Sequence, residues 1–382
     1  MHCEVKMNFS KLDRFLEEMP LRGFPAVEVA ITKDGETVYR KTVGYSDSAK
    51  TKPTSADDLY WIFSASKVIT CTAAMRLVED GVIALDDPVS KYLPEYARLT
   101  VRQKDGTVVP AKNVMTVLHL FTMHGGLTYD SSLPAVKEAI AKGLGTVDIA
   151  RAIAKDPLVF EPGTDYKYSL CHDVLAAVVE VASGVRFADY VQKIIFTPLG
   201  MTDSGFHPTE EQKKRFSAQY THKAGTVEAI ERPIGNGFIY TPGYDSGGAG
   251  IFCTVSDYMK VITALSLGGT SKDGYRLLKP ETVKMMGENR LCDTGLNHFQ
   301  NTRLYGYGGG LCGRSHINPT MSLSLAPIGE FGWDGAAGAF SMVDATNRIA
   351  LYFGVHIFGA QYLYHIVHPH IRNLAYEGLT AD

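Results

Sequence analysis

Apolar positions change their period several times along this chain. Phe9, Leu12, Phe15 and Leu16 share one helical face, so residues 9–19 predict a short amphipathic helix. Two β-rich runs follow, Ala26–Thr32 and Thr37–Tyr45, joined by Lys33-Asp34-Gly35-Glu36, whose Asp-Gly is a tight-hairpin signal. After a polar loop, Ser46–Asp57, helical spacing returns at Val68, Ala73, Ala74, Leu77 and Val78. It ends near Glu79-Asp80-Gly81, where the glycine can cap the helix. From Ala84 to about Tyr244 the pattern is helical and loop-rich, with helices near 114–123, 147–154, 171–183 and 188–195. Strand-like sequence resumes at Gly247–Thr254 and runs into a helix over Ser256–Ser266, with Ser256 as its N-cap. Ala339–Val343 and Ile349–Ile357 alternate around Asp344-Ala345-Thr346-Asn347 as a second hairpin, and Gln361–Leu374 predicts a closing helix.

Hairpins at both ends of the sequence, each with helices beside it, predict an α/β fold of the α+β type. One antiparallel sheet is formed by both chain ends and flanked by helices, and a helical lobe is inserted between them. The expected division is 1–82 with 245–382 for the sheet domain and 83–244 for the helical lobe, with a ligand cleft between the two. A length of 382 residues is too great for one small core and suits this arrangement. Hydrophobic content of 45% against 21% charged describes a soluble globular protein, and a net charge of −3 offers no basic patch to nucleic acid. No apolar run of membrane-spanning length occurs, so no membrane partner is expected. The opening residues are polar rather than signal-like, which predicts a cytoplasmic protein. Its six cysteines form no Cys-x-x-Cys pair and are expected to remain thiols, with no cysteine-bound zinc. His365, His368 and His370 have Pro369 among them and no acidic partner close by, so no metal is predicted there. The charge run Glu210–Arg215 reads as a solvated helix face.

The candidate chemistry centres on Ser64-Ala65-Ser66-Lys67, where a lysine stands three positions after a serine and a helical pattern begins. Residues three apart share a helix face, which brings the Lys67 amine near the Ser64 hydroxyl. A helix N-terminus stabilises negative charge, and the backbone N–H of Ser64 can face an oxyanion formed on attack. The competing reading is a capping serine followed by a surface lysine. In Phe160–Leu170, a turn-rich stretch leading into a helix, Tyr168 can serve as a general base if its oxygen lies among lysine or serine groups; the alternative is a tyrosine packed at the start of a helix. In Gly329–Gly338, glycines allow a strand edge to approach a substrate and the N–H near Ala336 is a second oxyanion donor; the alternative is a glycine-rich bend. His124-Gly125-Gly126 resembles an α/β-hydrolase oxyanion loop, but no Gly-x-Ser-x-Gly elbow exists in the chain, which disfavours that fold.

Five motifs stand in a particular order: Ser64-Ala65-Ser66-Lys67, Leu118–Leu127, Glu161-Pro162-Gly163 with Tyr168-Ser169, Gly247-Gly248-Ala249-Gly250, and Gly332-Trp333-Asp334-Gly335. In that order they resemble the serine β-lactamase and penicillin-binding-protein-like superfamily, and most of all its class C-type members and the related family VIII carboxylesterases. The resemblance implies that Ser64 is the acylated nucleophile, Lys67 shuttles its proton, and Tyr168 assists acylation and activates water. It further implies an oxyanion hole from the N–H groups of Ser64 and Ala336, no metal and no organic cofactor. Trp333, Asp334, Gly335, Leu170 and His124 are the candidate substrate contacts. Leu170 stands where class C enzymes have an asparagine, and Trp333-Asp334-Gly335 where they have Lys-Thr-Gly. An indole beside a carboxylate in place of a cation predicts a site for neutral or cationic acyl compounds. Asp334 departs from the Trp-x-Gly of the esterases, where glycine is more usual. Trp61, Tyr240, Tyr244, Tyr305 and Tyr307 are candidates either for an aromatic cleft or for the core. The expected activity is a serine hydrolase that forms an acyl-enzyme on small carboxylic esters. A β-lactamase or D-alanyl peptidase-like activity, an acyltransferase and a non-catalytic binding protein on the same fold remain the alternatives.

Overall fold

The structure is a computed structural model that describes residues 7–302 and 304–380. Cys3 and the first six residues, on which the cytoplasmic expectation partly rests, lie outside the described residues. Helix α1 (Ser10–Glu17) turns Leu12 and Leu16 inward, as the spacing predicts. Strands β1 (Ala26–Lys33) and β2 (Glu36–Gly44) pair antiparallel, and Asp34 and Gly35 both adopt the positive φ that a tight hairpin of this hand requires. Helix α2 (Ser66–Glu79) leads to α3 (Cys171–Ser183) and α4 (Val255–Ser266), then α5 (Asp293–Thr302). The C-terminal part adds β3 (Tyr307–Gly310), β4 (Gly313–His316), β5 (Phe331–Gly332), β6 (Phe340–Asp344), β7 (Ile349–Gly354) and the closing helix α6 (His368–Leu379). These strands form one seven-stranded antiparallel sheet in the order β2-β1-β7-β6-β5-β4-β3. The first hairpin therefore docks on the second, as two chain ends closing one sheet must.

Strand β1 is buried on both faces, which explains its lack of strict alternation. Val27, Val29 and Ile31 pack with Leu12, Leu16, Ile371 and Leu374 beneath α1 and α6. On the opposite face Thr32 meets Thr263 of α4 at 2.9 Å between hydroxyl oxygens. Each aliphatic side chain buried in these layers contributes about 1.5–3 kcal/mol. Among the described residues no helix is long and apolar enough to cross a membrane.

Several sequence expectations need correction. The N-cap of α4 is Thr254, whose hydroxyl accepts the Asp257 N–H at 3.1 Å; Ser256 lies inside the helix. Residues 247–250 form a turn, and only Phe252–Cys253 is strand. The stretch read as helical carries two hairpins, Thr100–Arg102 with Val108–Pro110 and Gln219–His222 with Ala229–Arg232, and a further helix at Pro134–Ala141. Asp105-Gly106, with its glycine at φ 87°, was the available signal for the first hairpin. The second pairs with Ile357–Phe358 in parallel, a long-range contact that no local pattern announces. The closing helix begins with a widened π turn, Leu363–Val367, and runs on to Leu379. Pro369 does not interrupt it: it stands in the first turn of α6, where the π turn passes into the α-helix.

Candidate active site

Ser64 lies in a short 3-10 turn, Phe63–Ala65, immediately before α2. Its predecessor Phe63 is held at φ 48°, a conformation that non-glycine residues rarely adopt and that persists only under packing constraint. The constraint is visible in the rings of Phe238 and Phe358, which pack edge-on against Phe63. Ser64 is not a capping serine, since its hydroxyl points instead into a hydrogen-bonded array. Tyr168 donates to Ser64 Oγ at 2.6 Å, and Lys67 Nζ donates to the same oxygen at 3.2 Å. Lys67 is fully buried and also donates to Tyr129 Oη at 2.9 Å and to the Gly248 carbonyl at 2.6 Å. It is thus the reverse of a surface lysine: a cation withdrawn from water with three oxygens within reach.

Tyr129 was not singled out from the sequence. Burial, with Tyr168 next to it, pushes its phenol well above the ordinary tyrosine range, so it meets Lys67 as a neutral group. The signal available was its position two residues after Leu127, at the end of the Leu118–Leu127 motif. The carbonyl of Gly248 reaches Lys67 because the turn 247–250 is pressed against α3. A Cβ on Gly248 would overlap the Asp173 carboxylate, which takes hydrogen bonds from Tyr244 at 2.8 Å and Ser246 at 2.6 Å. Thr70 Oγ1 donates to the Gly247 carbonyl at 2.7 Å, which ties the same turn to α2.

Trp333 completes the array from the strand side. Its indole N–H donates to Tyr168 Oη at 3.2 Å, and the two rings lie 5.6 Å apart. After it, Gly335 passes so close to the backbone before Ser64 that a Cβ would overlap the Ile62 carbonyl, and Ala336 follows on the wall that Ser64 shares. Tyr364 donates to the carbonyls of Gly335 at 2.9 Å and Ala336 at 3.0 Å, which fixes this edge. A cavity of about 280 Å³ opens beside Ser64 and Tyr168, with Trp333, Phe299 and Tyr364 as its aromatic walls.

The remaining candidates separate. Asp334 borders the cavity, but its charge is compensated: Arg314, buried at 2% exposure, donates to Asp334 Oδ1 at 3.0 Å and to Glu330 at 3.2 Å. Leu170 is buried and lines a different cavity, with Leu127 and Leu158. His124 is buried against Thr122 at 2.8 Å and Cys292 at 3.6 Å, and desolvation lowers its imidazole to about 4. Neither residue lines the cavity beside Ser64. The other aromatic candidates are not its walls either: Trp61, Tyr244 and Tyr307 are core, Tyr240 stacks on Tyr244, and Tyr305 faces solvent. The three C-terminal histidines diverge, with His365 at the cavity rim, His368 bonded to the Gly338 carbonyl at 2.9 Å and His370 against Phe15.

A seven-stranded antiparallel sheet covered by helices, with Ser64 and Lys67 in contact at the start of α2, is the frame of a serine hydrolase. The chain belongs to the Beta-lactamase family, which matches residues 12–361. It is 30% identical to Esterase EstB of Burkholderia gladioli over 392 residues, covering 96% of this chain and 90% of that protein. It is 31% identical to a lovastatin esterase of Penicillium rubens over 279 residues, covering 70% and 69% of the two chains. Among solved structures it resembles EstCE1, described as a hydrolase with promiscuous acyltransferase activity. The TM-score is 0.79 at 23% identity, covering 96% of this chain and 98% of the other.

Proposed function

We propose that this serine hydrolase is a carboxylesterase that works through an acyl-enzyme on Ser64. The observation that carries the reading is the 2.6 Å and 3.2 Å contacts of Ser64 Oγ with Tyr168 and buried Lys67. In the reactive state the Lys67–Tyr168 pair is one proton short, with Tyr168 as a phenolate beside the Lys67 ammonium. Ser64 Oγ attacks the ester carbonyl carbon as its proton passes to Tyr168, and the oxyanion faces the N–H groups of Ser64 and Ala336. The bond to the leaving oxygen then breaks, and that oxygen takes the proton from Tyr168. Water, deprotonated through the same pair, releases the acid and restores the hydroxyl. The esterase relatives support ester over amide or β-lactam chemistry. So does the strand motif, which offers an indole and a compensated carboxylate where class C enzymes present a free cation. Transfer of the acyl group to an alcohol uses the same residues, and the promiscuous acyltransferase activity of EstCE1 makes it the second reading.

In this proposal a sheet-bearing unit, 1–82 and 245–382, supplies Ser64, Lys67 and Trp333, while the intervening unit, 83–244, supplies Tyr129 and Tyr168. A cytoplasmic location is part of the same reading, supported by the five described cysteines, all free thiols.

Hydrolysis of a short-chain 4-nitrophenyl ester tests the assignment. Ser64→Ala abolishes turnover, and Lys67→Ala or Tyr168→Phe lowers kcat by orders of magnitude, because the three groups act as one unit. Turnover that survives in Ser64→Ala would remove the nucleophile from the mechanism, and near wild-type activity in Tyr168→Phe would remove its proton donor.

A further inference from the structure

The cavity beside Ser64 has a direction and a polarity. Tyr168, the group placed to protonate the departing oxygen, forms part of its wall together with Trp333. The leaving alcohol of an ester attacked by Ser64 therefore projects into this cavity. Aromatic rings line that space: Trp333 has its ring 5.6 Å from Tyr168 and 6.3 Å from Phe299, and Tyr364 is part of the same lining.

Among the described residues the charged groups are arranged asymmetrically. Asp334 and its partner Arg314 both border the cavity, but 22% of the Asp334 side chain is exposed against 2% of Arg314. Arg314 also donates through its terminal nitrogens to Glu330 and to the Ser341 carbonyl. Arg372 donates to the Tyr307 hydroxyl, which in turn donates to Glu330 at 2.9 Å. The ion pair thus presents its carboxylate to the substrate space. The lining also holds the phenols of Tyr168 and Tyr364 and, exposed at the rim, the imidazole of His365.

Building on the ester reading above, we infer that this cavity takes the alcohol half of the substrate, and that the alcohol carries a quaternary or alkylated ammonium group. Such a cation is attracted both to aromatic faces and to the carboxylate, and its alkyl groups keep its desolvation low enough for an aromatic pocket. An anionic leaving group is rejected by the same carboxylate.

The test compares butanoylcholine with 3,3-dimethylbutyl butanoate, the uncharged isostere, at pH 8, with 4-nitrophenyl butanoate as reference. The choline ester is expected to show kcat/KM about tenfold above the isostere, and Asp334→Asn to bring that ratio close to one. Because Asp334 is tied to Arg314, a second measurement is made on the unaltered protein. Free choline should inhibit 4-nitrophenyl butanoate hydrolysis competitively, and 3,3-dimethylbutanol should do so at least about tenfold more weakly. Equal or faster turnover of the isostere, or equal inhibition by the two alcohols, overturns the ammonium assignment while leaving the esterase intact. Loss of Ser64-dependent turnover of the nitrophenyl ester overturns the ester reading and this inference with it.

Discussion

The hydrogen bond from the Trp333 indole to Tyr168 Oη gives that tryptophan a role beyond walling a pocket. An N–H donor aimed at a phenol oxygen stabilises the phenolate more than the phenol, so Trp333 favours the state in which Tyr168 has passed its proton on. Trp333→Phe keeps the ring and removes the donor. The expected result is a kcat lowered about tenfold, the size of one hydrogen bond to a charged group, with the acidic limb of the kcat–pH profile moved to higher pH. An unchanged profile would reduce Trp333 to a packing role. At this scale the sequence pointed to Ser64, Lys67 and Tyr168, which the fold brings into hydrogen-bond contact, because the proposed chemistry needs particular residue types at readable places. It misplaced Leu170 and His124, whose side chains turn into the core and away from Ser64. It also left Asp334 as an open charge, because the Arg314 that compensates it is twenty residues away and shares no pattern with it.

At the scale of elements, the turn 247–250 matters more than its length suggests. It delivers the Gly248 carbonyl to Lys67 while its backbone leans on Asp173. Gly248→Ala places a methyl against a carboxylate already committed to Tyr244 and Ser246. The expected cost is about 1–3 kcal/mol of stability, typical of overpacking, and kcat should fall with it as Lys67 loses its acceptor. Denaturant unfolding and ester turnover on the same protein check both. A variant with wild-type stability and rate would mean that the turn relaxes freely. The first hairpin and α2 were legible from period and turn residues alone. The turn reads as a strand in the sequence, because glycines beside an apolar run look the same in either conformation until the partner surface is known.

Over the whole molecule, burial sets the pH response. Desolvation lowers His172 to about 3 and His124, His356 and His368 to about 4. Each histidine is neutral in the folded protein, while the unfolded chain takes up its proton near 6.5. Their contribution is therefore complete above 6.5 and is lost as pH falls toward 4, each by on the order of 2–3 kcal/mol over two pH units. Glu28 acts in the opposite sense. It lies on β1 and accepts from Arg40 of β2, and burial raises its carboxyl to about 7, so its penalty develops as pH rises from 4.5 to 7. Four groups outweigh one, and denaturant unfolding should show markedly lower stability at pH 5 than at pH 7. Equal stability at the two values would show that these histidines are solvated or paired in solution.

The sequence by itself determined the elements that depend on near neighbours: the amphipathic α1, the two hairpins that close the sheet, and the Ser-x-x-Lys spacing that a helical turn converts into contact. It also determined the family, through five motifs in order. The tertiary structure alone decided which oxygens surround Lys67, that Trp333 bonds to Tyr168, and that Asp334 borders the cavity paired with Arg314. The reason is physical: a hydrogen bond or an ion pair depends on distances between side chains far apart along the chain, and those distances exist only once the sheet and the helices are packed.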